Sequence, residues 1–305
     1  MQSRMTVVRP ALAALLFCCS SASWAQLPDS DPPAEEHKQP AQTSATAPAT
    51  PPAKVPQCTQ RLPTLRNPLA FAPGEVLEFD LDAMGATAGK MTMQVQKKEN
   101  GALPVQIKVQ TNSFFSKVRR VDATAVSYLH PKTLRPSRYT EDATENEVRR
   151  TVDVAFNPKD RSVRVNYTQK GKPGTNNYAY EYEGLDVAGT IYMMRQLPLK
   201  EGLPVCFDVY GVRRMWRMTG TVLKREHVSM PLGEFDAWHL SGTAVRMDKP
   251  SMSREVHVWI TDDERRLPLA ALGTIDLGAV RATLTSYSRP GEKVKQAQGK
   301  EQLKW

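Results

Sequence analysis

The chain has 305 residues, of which 40% are hydrophobic and 24% charged, a balance typical of a soluble globular protein. Its 17 glycines and 23 prolines follow no collagen-like period and no run of 18 apolar residues is present, which excludes collagen-like and multi-spanning membrane proteins. With 41 Lys and Arg against 32 Asp and Glu, the formal net charge is +9.

The first 25 residues have the pattern of an export signal. Arg4 and Arg9 form a basic start, an apolar run follows over 11–19, and small residues precede a cleavage point after Ala25. Cleavage there removes both arginines and lowers the net charge to +7. An uncleaved anchor and a lipid attached to a cysteine of the run are the alternatives, but the run is short for a bilayer and its neighbours fit a lipid-attachment site poorly.

The exported compartment and the charge pattern narrow the partners. Nucleic acid is disfavoured by export, and the basic residues are scattered in pairs such as Arg119-Arg120 and Arg213-Arg214 rather than gathered in one stripe. A basic exported surface suits a lipid or an anionic glycan, with surface solubility as the plain alternative. We expect the chain to be peripheral to the membrane at most.

Composition divides the rest of the chain into three parts. Residues 26–67 are rich in Pro, Ala, Gln, Thr and Ser and predict a disordered linker. Residues 68–288 predict one β domain, and 289–305 predict a basic flexible tail.

Strands dominate the predicted domain. Apolar and polar residues alternate from Val76, and Asn100-Gly101 predicts a hairpin turn between two further alternating segments over 91–96 and 105–110. Pro and Gly at 172–174 predict another turn. Later strands are predicted over 124–129, 138–141, 150–156, 163–167, 205–210, 215–224, 227–230, 235–245, 254–261, 267–273 and 279–286.

One segment has helical spacing instead. Val187, Ile191, Met194 and Leu197 recur at three- and four-residue intervals, which predicts a helix of about three turns at about 185–197. A short helical turn is predicted over 113–117. The fold class expected from these elements is mainly β: a curved antiparallel sheet or incomplete β-barrel whose concave face is covered by the helix.

Two cysteines remain after the signal is removed. Cys58 and Cys206 are expected to pair in an oxidising compartment, which would fix the end of the linker to the domain. Two unpaired buried thiols are the alternative. A catalytic cysteine is disfavoured because no His lies near either one in sequence and no Cys-x-x-Cys occurs.

The sequence contains no recognisable catalytic or metal-binding set. Its five His are isolated from one another, and no nucleophile elbow or phosphate loop occurs. We therefore expect no metal and no cofactor, and an enzymatic activity is disfavoured without being excluded.

Methionine and aromatic side chains are the candidates for lining an apolar binding site. Met adapts to ligands of varying shape, and a strand with bulky groups on both faces suits a cavity wall. A plain Met-containing core is the competing interpretation. The candidate lining residues are Tyr192, Met194, Trp216, Trp238, His257 and Trp259.

Several motifs together resemble the domain-of-unknown-function family 3108. The resemblance covers roughly Phe71 to Ser286 and implies an exported envelope protein with a mainly β fold and no assigned catalytic residues. We therefore expect a periplasmic location, with secretion as the alternative. The motifs are Phe71-x-Pro73-Gly74-Glu75-x-Leu77-x-Phe79, Leu185-Asp186-x-x-Gly189-x-x-Tyr192-x-x-Arg195-x-Leu197-Pro198-Leu199, Pro231-x-Gly233-x-Phe235 and Val258-Trp259-Ile260-Thr261-Asp262-Asp263-x-x-Arg266-Leu267-Pro268.

Structural roles account for these motifs. Asp186 is placed to cap the helix, Pro231 and Gly233 to form a tight turn, and the acids at 262–263 to accept hydrogen bonds from backbone amides. Two functions remain open: a module that binds a lipid or other amphiphile in a half-barrel, and a structural or assembly partner in an envelope complex. The first rests in part on analogy with half-barrel lipid carriers.

Overall fold

The computed structural model describes residues 53–59, 61–83, 85–117, 119–211, 213–275, 278–292 and 295–296. The predicted signal peptide at 1–25, the first part of the predicted linker at 26–52 and most of the predicted tail lie outside the described residues.

Sixteen strands and one α-helix make up the described part of the chain. The helix α1 spans Val187–Met194, and a short 3₁₀ turn spans Phe115–Lys117. The strands are β1 (Val76–Ala83), β2 (Ala86–Val95), β3 (Leu103–Thr111), β4 (Val121–Leu129), β5 (Pro136–Glu145), β6 (Val148–Asn157), β7 (Ser162–Gln169), β8 (Lys172–Ala179), β9 (Gly184–Asp186), β10 (Pro204–Gly211), β11 (Arg214–Met230), β12 (Gly233–Arg246), β13 (Ser253–Thr261), β14 (Pro268–Ile275), β15 (Gly278–Ser288) and β16 (Lys295–Gln296).

All strands belong to one curved sheet. Its order is β8-β7-β6-β5-β4-β3-β2-β1-β15-β14-β13-β12-β11-β10-β9, with β16 paired to β15. Every neighbouring pair is antiparallel except β9 and β10, which are parallel because α1 and its following loop connect them. Most neighbours are joined by short hairpins, so the alternating sequence pattern leads directly to this order.

Alternation fixes which face of each strand is buried. In β1 every second residue from Leu77 to Ala83 is buried, while the residues between them are half-exposed. The buried face, called here the inner face, packs against α1 and contributes most of the main core. A smaller core cluster lies between β6–β7 and the turn that joins β10 to β11, where Tyr180, Tyr210 and Met215 pack with Val154 and Val165.

The predicted fold class is confirmed, and the differences concern element lengths. The helix has eight residues instead of about thirteen, because Leu185 and Asp186 pair with β10 as β9 and the chain turns after Arg195. The predicted turn at 172–174 is wrong. The turn lies at Lys170-Gly171, where both residues have positive φ, and Pro173 belongs to β8. As β8 is an edge strand, the missing N–H of Pro173 does not interrupt the sheet.

The two strands predicted over 215–224 and 227–230 form the single strand β11. A bulge between Val222 and Lys224 absorbs the change of register, and β11 continues as one long hairpin with β12. The predicted turn at 231–233 connects them and is confirmed.

The end of the predicted linker contacts the domain. Cys58 forms a disulfide with Cys206 at the start of β10, with a Cα–Cα distance of 5.7 Å. Leu62 and Leu65 pack against the main core, and the Arg66 amide donates to the Gln196 carbonyl at 2.8 Å. Composition placed the start of the domain at 68, whereas these contacts begin about ten residues earlier because a few leucines and one cysteine are enough to fix an extended segment.

Removing this disulfide tests its contribution to stability. It closes a loop of 148 residues, so the double variant Cys58→Ser/Cys206→Ser is expected to lower the free energy of unfolding by up to about 4–5 kcal/mol in the chain-entropy model. Urea denaturation of the oxidised mature chain measures the difference. A reductant should shift the midpoint of the original chain and leave the double variant unchanged. Equal midpoints for the two oxidised proteins would contradict the expectation.

Candidate functional site

An apolar slot lies on the inner face beside the end of α1. Met194 of the helix faces Phe207 of β10, Met218 of β11, Leu240 of β12 and Val258 of β13 across it. The slot has a volume of about 30 Å³, which is close to the share of one water molecule in liquid water. Its wall is almost entirely apolar, so the slot can accept a methylene or methyl group and offers very little polar surface to orient one.

The floor of the slot is a pair of glycines. Gly220 of β11 and Gly242 of β12 face each other in the register, and a Cβ on either would overlap the backbone of the neighbouring strand. Without side chains, the strands approach closely and leave bare backbone at the bottom of the slot. The inner face is therefore deepest at this point.

Beyond the slot, the inner face is open to solvent. Ala271 of β14 pairs with Val258 and is exposed, although its strand neighbours Leu269 and Ala270 are buried. Ala282 of β15 pairs with Ala271 and is only half-buried. Together with the glycine pair, these small side chains leave a concave apolar surface uncovered by α1. We call this surface the mouth.

A 3₁₀ turn closes part of the mouth on one side. Phe115 is buried against Ala83, Ala88 and Val280, of which Ala83 and Val280 lie on the inner face near the strand ends. Phe114 stacks edge-on against Phe115 with ring centroids 5.4 Å apart, but its own side chain is 67% exposed. The connection between β3 and β4 thus borders the mouth.

The position of α1 is fixed by a fully buried ion pair. Arg195 donates to both carboxylate oxygens of Glu75, at 2.6 and 3.0 Å, and neither side chain is accessible to solvent. Arg195 also donates through Nε to the Arg266 carbonyl at 2.9 Å and through Nη2 to the Arg265 carbonyl at 3.0 Å. One guanidinium therefore joins the helix to the start of β1 and to the loop between β13 and β14.

Electrostatics keep this arginine charged. Burial opposes the charged form, but the Glu75 carboxylate and its hydrogen bonds outweigh burial and hold the pKa of Arg195 above its ordinary value. The rings of Phe71 and Tyr192 lie 5.2 and 5.0 Å from the guanidinium carbon. Three of the sequence motifs therefore meet at one structural site, and none of these groups faces the mouth.

The first turn of α1 is held by a buried carboxylate. Asp186 accepts from the Gly189 amide at 2.7 Å, which confirms the predicted cap, and from the Ser127 hydroxyl at 2.5 Å. Desolvation raises the pKa of Asp186 to about 6, and the two hydrogen bonds only partly oppose that rise.

A second buried pair connects the linker to β10 and β11. Arg217 binds Asp208 through two hydrogen bonds, and both side chains are fully buried. Arg217 also donates to the Pro56 carbonyl at 2.8 Å and lies 4.5 Å from the centre of the Tyr182 ring. Asp208 lies on the strand that carries Cys206, so the disulfide and Arg217 fix the same stretch of linker.

Of the predicted lining residues, Met194 lies in the slot. Tyr192 is fully buried in the core. Trp216 and Trp238 are half-buried, and their indole N–H groups donate to the Gly211 carbonyl at 3.0 Å and to Asp262 at 2.7 Å. The structure therefore does not bring these four side chains together.

His257 and Trp259 belong to a cluster on the opposite, outer face. His239 pairs with Trp259 in the register, stacks on it with ring centroids 4.4 Å apart, and lies 2.9 Å from His257. Trp259 donates to Glu226 at 2.8 Å. Desolvation, together with the nearby His257 and Lys224, lowers the pKa of His239. Sequence reasoning missed this cluster because His239 and His257 come from different strands.

An open polar groove occupies the outer face of β4–β8. It has a volume of about 870 Å³ and is lined mostly by polar residues, including Thr151, Asp153 and Asn166, although apolar atoms supply most of its exposed wall. Arg138 donates one hydrogen bond to each carboxylate oxygen of Asp153, and Arg149 donates in the same way to Asp142. These two carboxylates are therefore neutralised locally.

Within the described residues, no three His, Cys, Asp or Glu side chains are grouped in a way that could hold a metal ion. No helix in this part of the chain has the length and hydrophobicity needed to cross a bilayer. The chemistry that the arrangement offers is therefore apolar contact in the mouth and slot, and hydrogen bonding in the outer groove.

Sequence reasoning found Met194 and missed the remainder of the slot. Phe207, Met218, Leu240 and Val258 resemble any other strand residues, since only the strand order shows that they converge. The signal that could have found the site is the pair of glycines inside two predicted strands, because an interior glycine marks close backbone approach.

Comparison with protein families identifies the group to which the chain belongs. The model of the family described as "Protein of unknown function (DUF3108)" matches residues 78–285, so the chain is a member of that family. The resemblance of the motifs is thereby confirmed. None of the curated proteins matches the sequence.

Solved structures show a similar fold at low sequence identity. A β-barrel-like protein of the family DUF1849 from Brucella abortus is similar with a TM-score of 0.51 and 10% identity, over 72% of this chain and 99% of that one. A Bacteroides fragilis protein with a YmcC-like fold has a TM-score of 0.32 and 9% identity, over 78% of this chain and 100% of its own. At these identities the first similarity establishes the fold alone, and the second carries no argument.

The buried cap gives a testable pH dependence. The folded-state pKa of Asp186 is raised to about 6, above its ordinary 3.8, so the folded protein binds this proton more tightly than the unfolded chain does. Ionisation of Asp186 therefore makes the free energy of unfolding fall as the pH rises from about 4 to about 6. Asp186→Asn keeps an acceptor for the Gly189 amide and removes the charge, so it is expected to gain up to about 3 kcal/mol relative to the original chain between pH 4 and pH 7.

Urea denaturation of both proteins across this pH range measures the difference. Asp142→Asn is the matched control, because Asp142 is exposed and paired at the surface. A stability difference between the original chain and Asp186→Asn that stays constant from pH 4 to pH 7 would contradict the expectation.

Proposed function

We propose that this family member is a non-enzymatic envelope protein, exported to the periplasm, that binds the apolar part of an amphiphilic ligand in the mouth. The observation that carries the proposal is the exposed apolar surface around Ala271, beside a slot with an almost entirely apolar wall. Concave apolar surfaces with few polar groups are typical of small-molecule sites.

The filled interior limits what such a ligand can be. The core under α1 contains fully buried side chains such as Leu77, Met93, Leu197 and Phe207, and the slot itself has room for about one methylene. A lipid enclosed entirely within the half-barrel does not fit this arrangement. The ligand that fits best lies along the open surface from Ala271 to Gly242, with one end of its chain in the slot and its polar head at the strand ends.

Export and the disulfide support the location. The Cys58–Cys206 bridge is typical of an oxidising compartment, which agrees with the export signal of the sequence. The proposal for a periplasmic location rests on these two features.

Binding of a fluorescent fatty acid tests the proposed function. The purified mature chain is titrated with cis-parinaric acid, and Ala271→Phe is compared with Thr221→Phe. Ala271 is exposed on the inner face and Thr221 on the outer face, so both rings can be accommodated, but only the first occupies the mouth. We expect Ala271→Phe to weaken binding about tenfold or more and Thr221→Phe to leave it unchanged.

Native mass spectrometry of the protein extracted from envelopes provides a second readout, with an expected added mass of one lipid-like molecule. Equal binding by the two variants, or a chain that neither retains nor takes up an amphiphile, would overturn the proposal.

A second candidate function, assembly within an envelope complex, is favoured by the outer groove. Its volume of about 870 Å³ and its hydroxyl and amide lining suit an extended hydrophilic partner such as a polypeptide segment. A photo-crosslinking residue at position 151, in the groove, is expected to give one discrete protein adduct, whereas the same residue at Thr221 gives none. Asn166→Arg, which fills the groove, should remove the adduct. Equal adducts at both positions would exclude the groove as the contact surface.

A further inference from the structure

The most exposed large apolar side chain in the described residues lies beside the mouth. Phe114 is 67% exposed, compared with 43% for Leu223 and 42% for Val187. Its neighbour Phe115 is buried, so the turn that carries Phe114 is anchored to the sheet and cannot easily withdraw the ring. A single exposed apolar side chain is ordinary by itself, so its surroundings decide what it indicates.

The same connection is strongly basic. Residues 112–120 contain Lys117, Arg119 and Arg120 and no acidic residue. Arg119 is buried and pairs with Glu145, whereas Lys117 and Arg120 are exposed. Arg213 of the neighbouring turn lies 3.8 Å from Glu145, so this carboxylate already faces two cations. The surface around Phe114 therefore carries an excess of positive charge.

We infer that the connection between β3 and β4 docks on an anionic lipid surface, with Phe114 inserted among the acyl chains and Lys117 and Arg120 against the headgroups. Charge decides in favour of this partner: an exposed aromatic ring alone suits many apolar surfaces, but a ring followed by Lys117 and Arg120, with no acidic residue in its connection, matches an anionic membrane. The 3₁₀ turn has three residues, so only the end of this connection, called here the tip, contacts the lipid. The affinity for the membrane is therefore modest.

Docking at this tip would bring the mouth to the membrane. Phe115 contacts Val280 and Ala83 on the inner face near the strand ends, so a membrane that receives Phe114 lies next to the opening. This extends the proposed function, since it supplies a route by which an amphiphile reaches the mouth. The docking itself depends only on Phe114 and the cations.

Co-sedimentation with vesicles tests the inference. The mature chain is mixed with vesicles containing phosphatidylglycerol or with vesicles of phosphatidylcholine alone, at low and high salt. We expect binding only to the phosphatidylglycerol vesicles, and weaker binding at high salt. Phe114→Ser should weaken binding about tenfold, and Lys117→Glu/Arg120→Glu should weaken it about a hundredfold.

Matched controls separate these effects from general exposure and charge. Leu223→Ser removes another exposed apolar side chain, and Lys97→Glu/Lys98→Glu makes the same charge change in the hairpin at the opposite ends of the strands. Both are expected to bind vesicles as the original chain does. Phe114→Trp should retain binding and show a blue shift of tryptophan emission that a quencher in the acyl chains suppresses.

Three results would overturn the inference. The first is that the Phe114 and Lys117/Arg120 variants lose no more binding than their controls, and the second is equal binding to both vesicle types. The third is binding that Phe114→Ser leaves intact and soluble heparin abolishes. The last result would identify a polyanion site rather than a membrane tip. Ala271→Phe should bind vesicles normally, so failure of the fatty-acid experiment and failure of docking remain distinguishable.

Discussion

The buried pair of Glu75 and Arg195 is the constraint on which the rest of the structure depends. Neither charge has access to water, so moving α1 away from the sheet would expose or orphan a buried ion, which costs several kcal/mol. The two carbonyl groups bound by Arg195 extend this constraint to the loop between β13 and β14. A pair of this kind adds little to stability compared with an apolar core, but it strongly disfavours alternative positions of the helix. Because α1 packs against the inner face, its position decides which part of that face the helix covers.

The covered and open parts of the inner face have different side chains for a physical reason. Under α1, Leu77, Met93 and Leu240 fill the space to the density of a normal core. Farther along the described strands, where α1 does not cover the sheet, the same face carries Ala271, Ala282 and Gly242 beside the half-buried Val256, and these small residues expose little apolar area each. Ala271 and Ala282 therefore keep the uncovered surface soluble while leaving it concave. Large apolar residues there would produce a patch of the kind that leads to aggregation.

Sequence reasoning predicted what depends on local pattern. The alternation in β1–β3, the cap at Asp186, the turn at 231–233 and the pairing of Cys58 with Cys206 each follow from a few neighbouring residues or from simple elimination. The site depends on strand order instead. His239 and His257 are 18 residues apart, Glu75 and Arg195 are 120 apart, and neither contact has a periodicity that reveals it. The error at 172–174 has the same origin, because whether Pro-Gly forms a turn or an edge strand depends on what lies next to it in the sheet.

The open end of the sheet relates the proposed binding site in the mouth to the proposed membrane contact at Phe114. Antiparallel hairpins place the connection between β3 and β4 at the same end of the strands as the uncovered part of the inner face, so the exposed Phe114 and the mouth share one end by topology. The linker is attached at β10 and β11, where Arg217 donates to the Pro56 carbonyl. A ligand that enters between Phe114 and Ala271 would therefore meet small side chains first and the Met194 slot last, so its tail length, rather than its headgroup, would determine how well it fits.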